Sequence, residues 1–202
     1  MRSRWTQCVI IGLAFLALSG AGAEGQECTV GGQFGGALAT PSVPFGDVGN
    51  IETGGGISMA VDLGCDVGPV KLGVAPELNQ LGGIRTWHFL GGAGVRLPIG
   101  TRDGGAWIEP MLQAGIAIGD HDGPIIAVLP DGRYVDLPSG VRPAMGAAVR
   151  VGIPVGSGIG FIEPSMRITS FPTMEGTEPA GAHTFVTVPI RIGYAFRLFG
   201  PS

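Results

Sequence analysis

Within the segment 184–199, positions 186–198 alternate without a break. Val186, Val188, Ile190, Ile192, Tyr194, Phe196 and Leu198 take one parity; Thr187, Pro189, Arg191, Gly193, Ala195 and Arg197 take the other. A period of two belongs to a β-strand, whose successive side chains point to opposite faces. The run is well beyond the ~5–6 residues of an ordinary strand. One face is apolar or aromatic and the other small or charged, so the long apolar face needs an apolar partner.

The pattern recurs in seven earlier segments, at 28–39, 56–67, 70–79, 85–98, 106–118, 141–153 and 159–169. In 56–67, Ile57, Met59, Val61, Leu63, Cys65 and Val67 oppose Ser58, Ala60, Asp62, Gly64 and Asp66. In 141–153, Val141, Met145, Ala147, Val149, Val151 and Ile153 oppose Arg142, Ala144, Gly146, Ala148 and Arg150. Strands two and three, four and five, and six and seven join through short glycine-rich turns. Longer loops are expected at 40–55, 119–140 and 170–183, and a short link near Gln80–Ile84. Short turns on one side and longer loops on the other mark an up-and-down transmembrane barrel. The fold class is therefore all-β, an eight-stranded antiparallel up-and-down transmembrane β-barrel. The 119–140 loop is expected to continue as a hairpin, with Ile125–Leu129 and Arg133–Leu137 flanking a Pro130-Asp131-Gly132 turn.

Val74-Ala75-Pro76, Ile108-Glu109-Pro110 and Ile162-Glu163-Pro164 sit at comparable points of alternate strands, as duplicated hairpins would. Proline gives no hydrogen to a ladder, so these prolines are expected at bulges or at the rim.

Charge follows parity. Lys71, Arg96, Arg142, Arg150, Arg167, Arg191 and Arg197 lie on the non-apolar face, as do Asp62, Glu77, Glu109 and Glu163. A charge facing mid-bilayer lipid costs roughly 2–4 kcal/mol, and an eight-stranded barrel is just wide enough for its own side chains. These eleven residues are read as a structural lumen network that plugs the barrel. Cys28 opens the first strand and Cys65 closes the second. Antiparallel pairing brings them together, so a disulfide at the periplasmic rim is expected, with two buried free thiols as the alternative.

The start of the chain supplies the route. Arg2 and Arg4 precede an apolar run from Cys8 to Leu18, then small residues to Ala23. That order is a secretory signal peptide, expected to be cleaved after residue 23, leaving one domain over 24–202. No apolar stretch reaches the length of a spanning helix. Mean hydropathy is nonetheless +0.37. Without Arg2 and Arg4, ten basic residues face sixteen acidic ones, a net charge of −6, which argues against nucleic acid.

With its signal peptide, eight strands and aromatic final strand (Tyr194, Phe196, Phe199), the chain resembles the small outer-membrane β-barrels of the OmpA transmembrane-domain and opacity-protein type. The resemblance implies a porin-like place in the Gram-negative cell envelope. It also implies insertion by the barrel-assembly machinery and contact with the outer-membrane bilayer. The expected function is non-enzymatic, in envelope structure or in surface interaction through loops whose partner the sequence does not name. Neither cofactor nor metal is expected. His88, His121 and His183 are read as loop histidines, and Gly119-Asp120-His121-Asp122-Gly123 as a solvated turn. Three alternatives stay open. One is a narrow pore or small-solute channel. Another is a lipid-modifying enzyme using His183 with Ser170. The last is a soluble periplasmic barrel with the apolar parity as its core.

Overall fold

Each alternating segment pairs with its neighbour in sequence. The computed structural model describes residues 27–41, 55–81, 84–100, 105–121, 126–128, 134–136, 140–175 and 178–199. The leader expected over 1–23 and the turn at 130–132 lie outside them. The strands are β1 (Cys28–Pro41), β2 (Gly55–Val67), β3 (Val70–Leu81), β4 (Ile84–Val95), β5 (Leu97–Pro98), β6 (Trp107–His121), β7 (Ile126–Val128), β8 (Tyr134–Asp136), β9 (Gly140–Val155), β10 (Gly158–Glu175) and β11 (Glu178–Phe199). Around the ring the order is β1, β2, β3, β4 with its continuation β5, β6, β9, β10 and β11, every neighbouring pair antiparallel. β11 pairs with β10 on one side and β1 on the other, closing an eight-stranded up-and-down barrel.

The two tightest turns on the short side carry glycine with positive φ, Gly68 at 63° and Gly156 at 57°. This left-handed region is cheap only without a Cβ. At the closing seam, a Cβ on Gly35 would run into the Ile190 carbonyl and stand 2.7 Å from Arg191 Cα. The seam therefore closes only with a bare residue there.

The prolines do not sit at bulges or at the rim, and this corrects the sequence expectation. Ala60 pairs with Glu77 and Leu63 with Val74, leaving two residues on each strand unpaired beside Pro76. The same gap lies between Ile162↔Val151 and Ser165↔Ala148 beside Pro164. It recurs beside Pro110, between Gly94↔Met111 and Leu97↔Ile108. Equal numbers are skipped on both strands, so register is kept. Each proline still pairs on its other side, Pro76 with Phe89, Pro110 with Val149 and Pro164 with Ile190. The missing N–H opens one ladder locally and leaves the other intact. At the matching gap between β10 and β11, the Ser165 hydroxyl donates to the Pro189 carbonyl at 3.3 Å.

The expected 170–183 loop is another correction, because β10 and β11 run through nearly all of it as a paired ladder ending at Glu175↔Glu178. β10 has 18 residues and β11 22, against the ~9–11 that cross a bilayer. At ~3.3 Å per residue and ~40° tilt, the hairpin rises about 20 Å or more beyond the span. β7 and β8 form a short hairpin inside 119–140, and β8 docks on β10 at Thr173 and Met174.

Burial is inverted relative to a water-soluble barrel. Leu112 is 74% exposed and Ile192 65%, while Glu77, Glu109, Arg167 and Arg191 are at 0%. A soluble barrel would hide the first set and wet the second.

Candidate functional site

The lumen carries the polar chemistry. The ring order puts β2 opposite β9 and β3 opposite β10, and an ion pair crosses the barrel along each diameter. Arg150 of β9 grips Asp62 of β2 through two parallel bonds, Nη1 to Oδ2 at 2.9 Å and Nη2 to Oδ1 at 3.1 Å. Arg167 of β10 meets Glu77 of β3, with Nε at 3.0 Å and Nη2 at 2.9 Å from Oε2. Arg191 of β11 ties them together. Its Nη1 lies 2.6 Å from Glu77 and its Nη2 2.8 Å from Glu163, with Ser58 and Ser165 as further partners. Lys71 adds a 3.2 Å pair to Asp62.

Five carboxylates (Asp62, Asp66, Glu77, Glu109, Glu163) meet five cations (Lys71, Arg96, Arg150, Arg167, Arg191) in these contacts. Equal numbers leave these paired groups with no net charge. Buried charges persist only when paired in this way.

One clamp occurs twice. In β9–β10, Arg150 bonds Glu163 through Nε at 2.9 Å and Nη2 at 2.5 Å, and stands 4.3 Å over Phe161. In β4–β6, Arg96 meets Glu109 at 3.5 Å and stands 4.7 Å over Trp107. Arg, Glu, the aromatic two residues before Glu, and the following Pro all recur at an offset of 54 positions. This extends the proline repeats seen in the sequence to a shared three-dimensional unit.

His88 is not a loop residue; it is 1% exposed inside the barrel. It faces Asn79 and Thr169, both on lumen positions, and parity alone could have placed it there. The Asn79 amide donates to Glu77 Oε1 at 2.7 Å and lies 3.2 Å from His88 Nδ1. Nδ1 is therefore the acceptor, and Nε2 carries the proton and donates to Thr169 Oγ1 at 3.2 Å. A general base for Thr169 would need the reverse direction.

Of the other expected lumen residues, Arg142 is half-buried with no ion pair among the described residues. Arg197 does not join the network. Its side chain is 43% exposed at the short-turn mouth, where Nε bonds Glu27 at 3.1 Å. Ser170 and His183 belong to paired strands, opposite Thr184 and Phe171 respectively, so the backbone register does not set them directly across from one another. The acidic segment 119–123 ends outside the described residues. Among the described residues no group of three or more His, Cys, Asp and Glu is placed to hold a metal ion.

Cys28 and Cys65 are direct cross-strand partners, joined by a disulfide with Cα atoms 4.1 Å apart. Beside them the Asp66 amide donates to the Glu27 carbonyl at 2.8 Å. On this side the mouth holds a cavity of about 350 Å³, whose lining includes Asp66, Arg96, Pro98, Trp107, Ile159 and Arg197.

No family model matches the chain, and no curated protein matches it. Among solved structures, the crystal structure of Neisserial surface protein A is similar over 87% of this chain and 100% of its own, with a TM-score of 0.51 and 14% identity. A likeness at that identity speaks for the fold: this chain is an eight-stranded β-barrel of the outer-membrane type.

Proposed function

We propose that the chain is an integral outer-membrane protein, exported behind a leader cleaved after residue 23, that works without catalysis through the parts it shows outside the bilayer. The observation that carries the reading is the inverted burial, with arginine and glutamate inside and leucine, isoleucine and phenylalanine outside. The outer-membrane barrel neighbour supports it. The balanced ionic lattice, spanning two diameters, is a plug that fixes the wall and leaves no open bore. The strand hairpin above the span and the β7–β8 hairpin docked on it form a raised sheet suited to contact a surface partner. The barrel-assembly machinery would insert the chain.

Two experiments test this reading. The mature chain, folded into detergent or vesicles, is run unboiled and boiled on SDS gels. A heat-dependent shift is expected; a protein that stays soluble without detergent and shows no shift would overturn the membrane reading. In planar bilayers the wild type is expected to show no discrete conductance steps, and steady steps would replace the plug by a narrow pore. Phospholipid or lipid A turnover by the purified barrel would replace the non-catalytic reading.

A further inference from the structure

Charge follows parity with one basic exception. Among the described strand residues, Arg85 of β4 is the one basic residue on the outward parity, which it shares with Trp87, Phe89, Ala93 and Val95. A charge is cheap on the outer wall only near an interface, and Arg85 stands at one. Below it, the outward positions of β4 and β5 from Trp87 to Leu97 carry no charge. Those ten steps, at ~3.3 Å per residue and ~40° tilt, rise about 25 Å, the height of the apolar band on a membrane barrel. Arg85 is therefore the first outward position above the band, on the long-loop side, with Trp87 at the girdle.

The register builds a patch around it. Gln80 on β3 and Asp120 on β6 are its cross-strand partners, and the next outward row down is apolar, Leu78, Trp87 and Ile118. Gln80 is exposed and Arg85 half-buried. Arg150, Arg167 and Arg191 are each bonded to a carboxylate, whereas the Arg85 guanidinium has no hydrogen bond or ion pair among the described residues. A guanidinium offers five donors and no acceptor, and its planar fork matches a phosphate through two parallel bonds. The rim is low here. β3 and β4 end at the pair Leu81↔Ile84, whereas β10 and β11, across the ring, run on to Glu175↔Glu178.

The position selects a lipid. A soluble anion would meet Arg85 but leave the apolar row below it unused, and a protein partner would have to reach down to the edge of the bilayer. A lipid already lies against that row, with its phosphate at the height of Arg85. The mature chain carries a net charge of −6, so no general attraction draws anionic lipid to it and any preference must be local.

We propose that Arg85, with Gln80 beside it, binds the phosphate of an anionic lipid in the leaflet on the long-loop side, the lipid chain lying on the row of Leu78, Trp87 and Ile118. The site rests on the membrane reading above. Asp120 is the acidic neighbour by register and competes with the phosphate for the guanidinium.

The test uses the folded mature chain carrying Trp107→Phe, which leaves Trp87, one row below Arg85, as its tryptophan. It is reconstituted into phosphatidylcholine vesicles containing a minor fraction of phosphatidylglycerol. In one series the phosphatidylglycerol is brominated; in the other an equal fraction of the phosphatidylcholine is. The two quenching curves give the binding constant of the anionic lipid relative to the neutral one. It is expected at about five, falling to about one in Arg85→Gln and rising in Asp120→Asn. The heat-dependent gel shift reports folding of each variant independently. A relative constant near one in the chain with Arg85, or one unchanged by Arg85→Gln, overturns the site and spares the barrel. Loss of the preference in millimolar inorganic phosphate would show a free-anion site and overturn the lipid as occupant. No quenching of Trp87 by either lipid would overturn the membrane reading, and the site with it.

Discussion

Replacing Arg150 with methionine tests whether the lumen is a dry ionic plug. The guanidinium makes two bonds to Asp62 and two to Glu163, and covers Phe161. Methionine keeps much of the bulk and removes all four bonds. Breaking a buried pair from one side costs about 3–5 kcal/mol, because the remaining charge stays buried. Here the abandoned carboxylates are not left alone, since Asp62 keeps Lys71 at 3.2 Å and Glu163 keeps Arg191 at 2.8 Å. The expected loss is therefore at the lower end, about 3 kcal/mol. Removing Asp62 as well, as Asp62→Asn with Arg150→Met, takes away the carboxylate that the first change strands. The double variant should be more stable than the sum of the singles by about 2 kcal/mol. The assay is urea unfolding in phospholipid vesicles, with the folded fraction read from the unboiled gel band. A single-variant loss under about 1 kcal/mol, or strict additivity, would show Arg150 to be solvated and would refute the plug.

Cys28→Ser with Cys65→Ser removes a link across 37 positions and should lower stability by about 4 kcal/mol on loop-closure grounds. The same urea series on reduced and oxidised wild type checks this, and coincident curves would speak against it. Leu112→Arg puts a charge on a strand centre that is 74% exposed and should cost about 2–4 kcal/mol in vesicles. An unchanged midpoint would take Leu112 out of the lipid.

The eight strands were legible because a single period of two runs through the whole wall, and a wall with lipid outside and charge inside must write it in every strand. Parity placed Asp62, Glu77, Arg150, Glu163, Arg167 and Arg191 inside. What it could not give was depth along the axis. Arg197 shares the inward parity but sits at the mouth, and His88 shares it but lies in the centre. The prolines misled because their effect is one-sided: a missing N–H breaks the ladder with one neighbour, while pairing with the other continues. The raised hairpin of β10 and β11 was missed because outside the bilayer nothing enforces alternation. Pro172, Pro179 and Gly181 therefore look like a loop while their backbone pairs. Nor could the sequence show that Arg150 reaches Asp62 across the barrel, a contact 88 positions apart that only ring closure creates.

Which face of the barrel meets lipid can be read directly from its two tryptophans. Trp87 is 41% exposed on the outer wall and Trp107 7% inside. Two mature chains, one keeping only Trp87 and the other only Trp107, are folded into vesicles of brominated phospholipid, and their fluorescence is compared with that in unbrominated vesicles. Strong quenching of Trp87 and almost none of Trp107 is expected. Quenching of Trp107 with Trp87 spared would turn the barrel inside out and contradict that expectation.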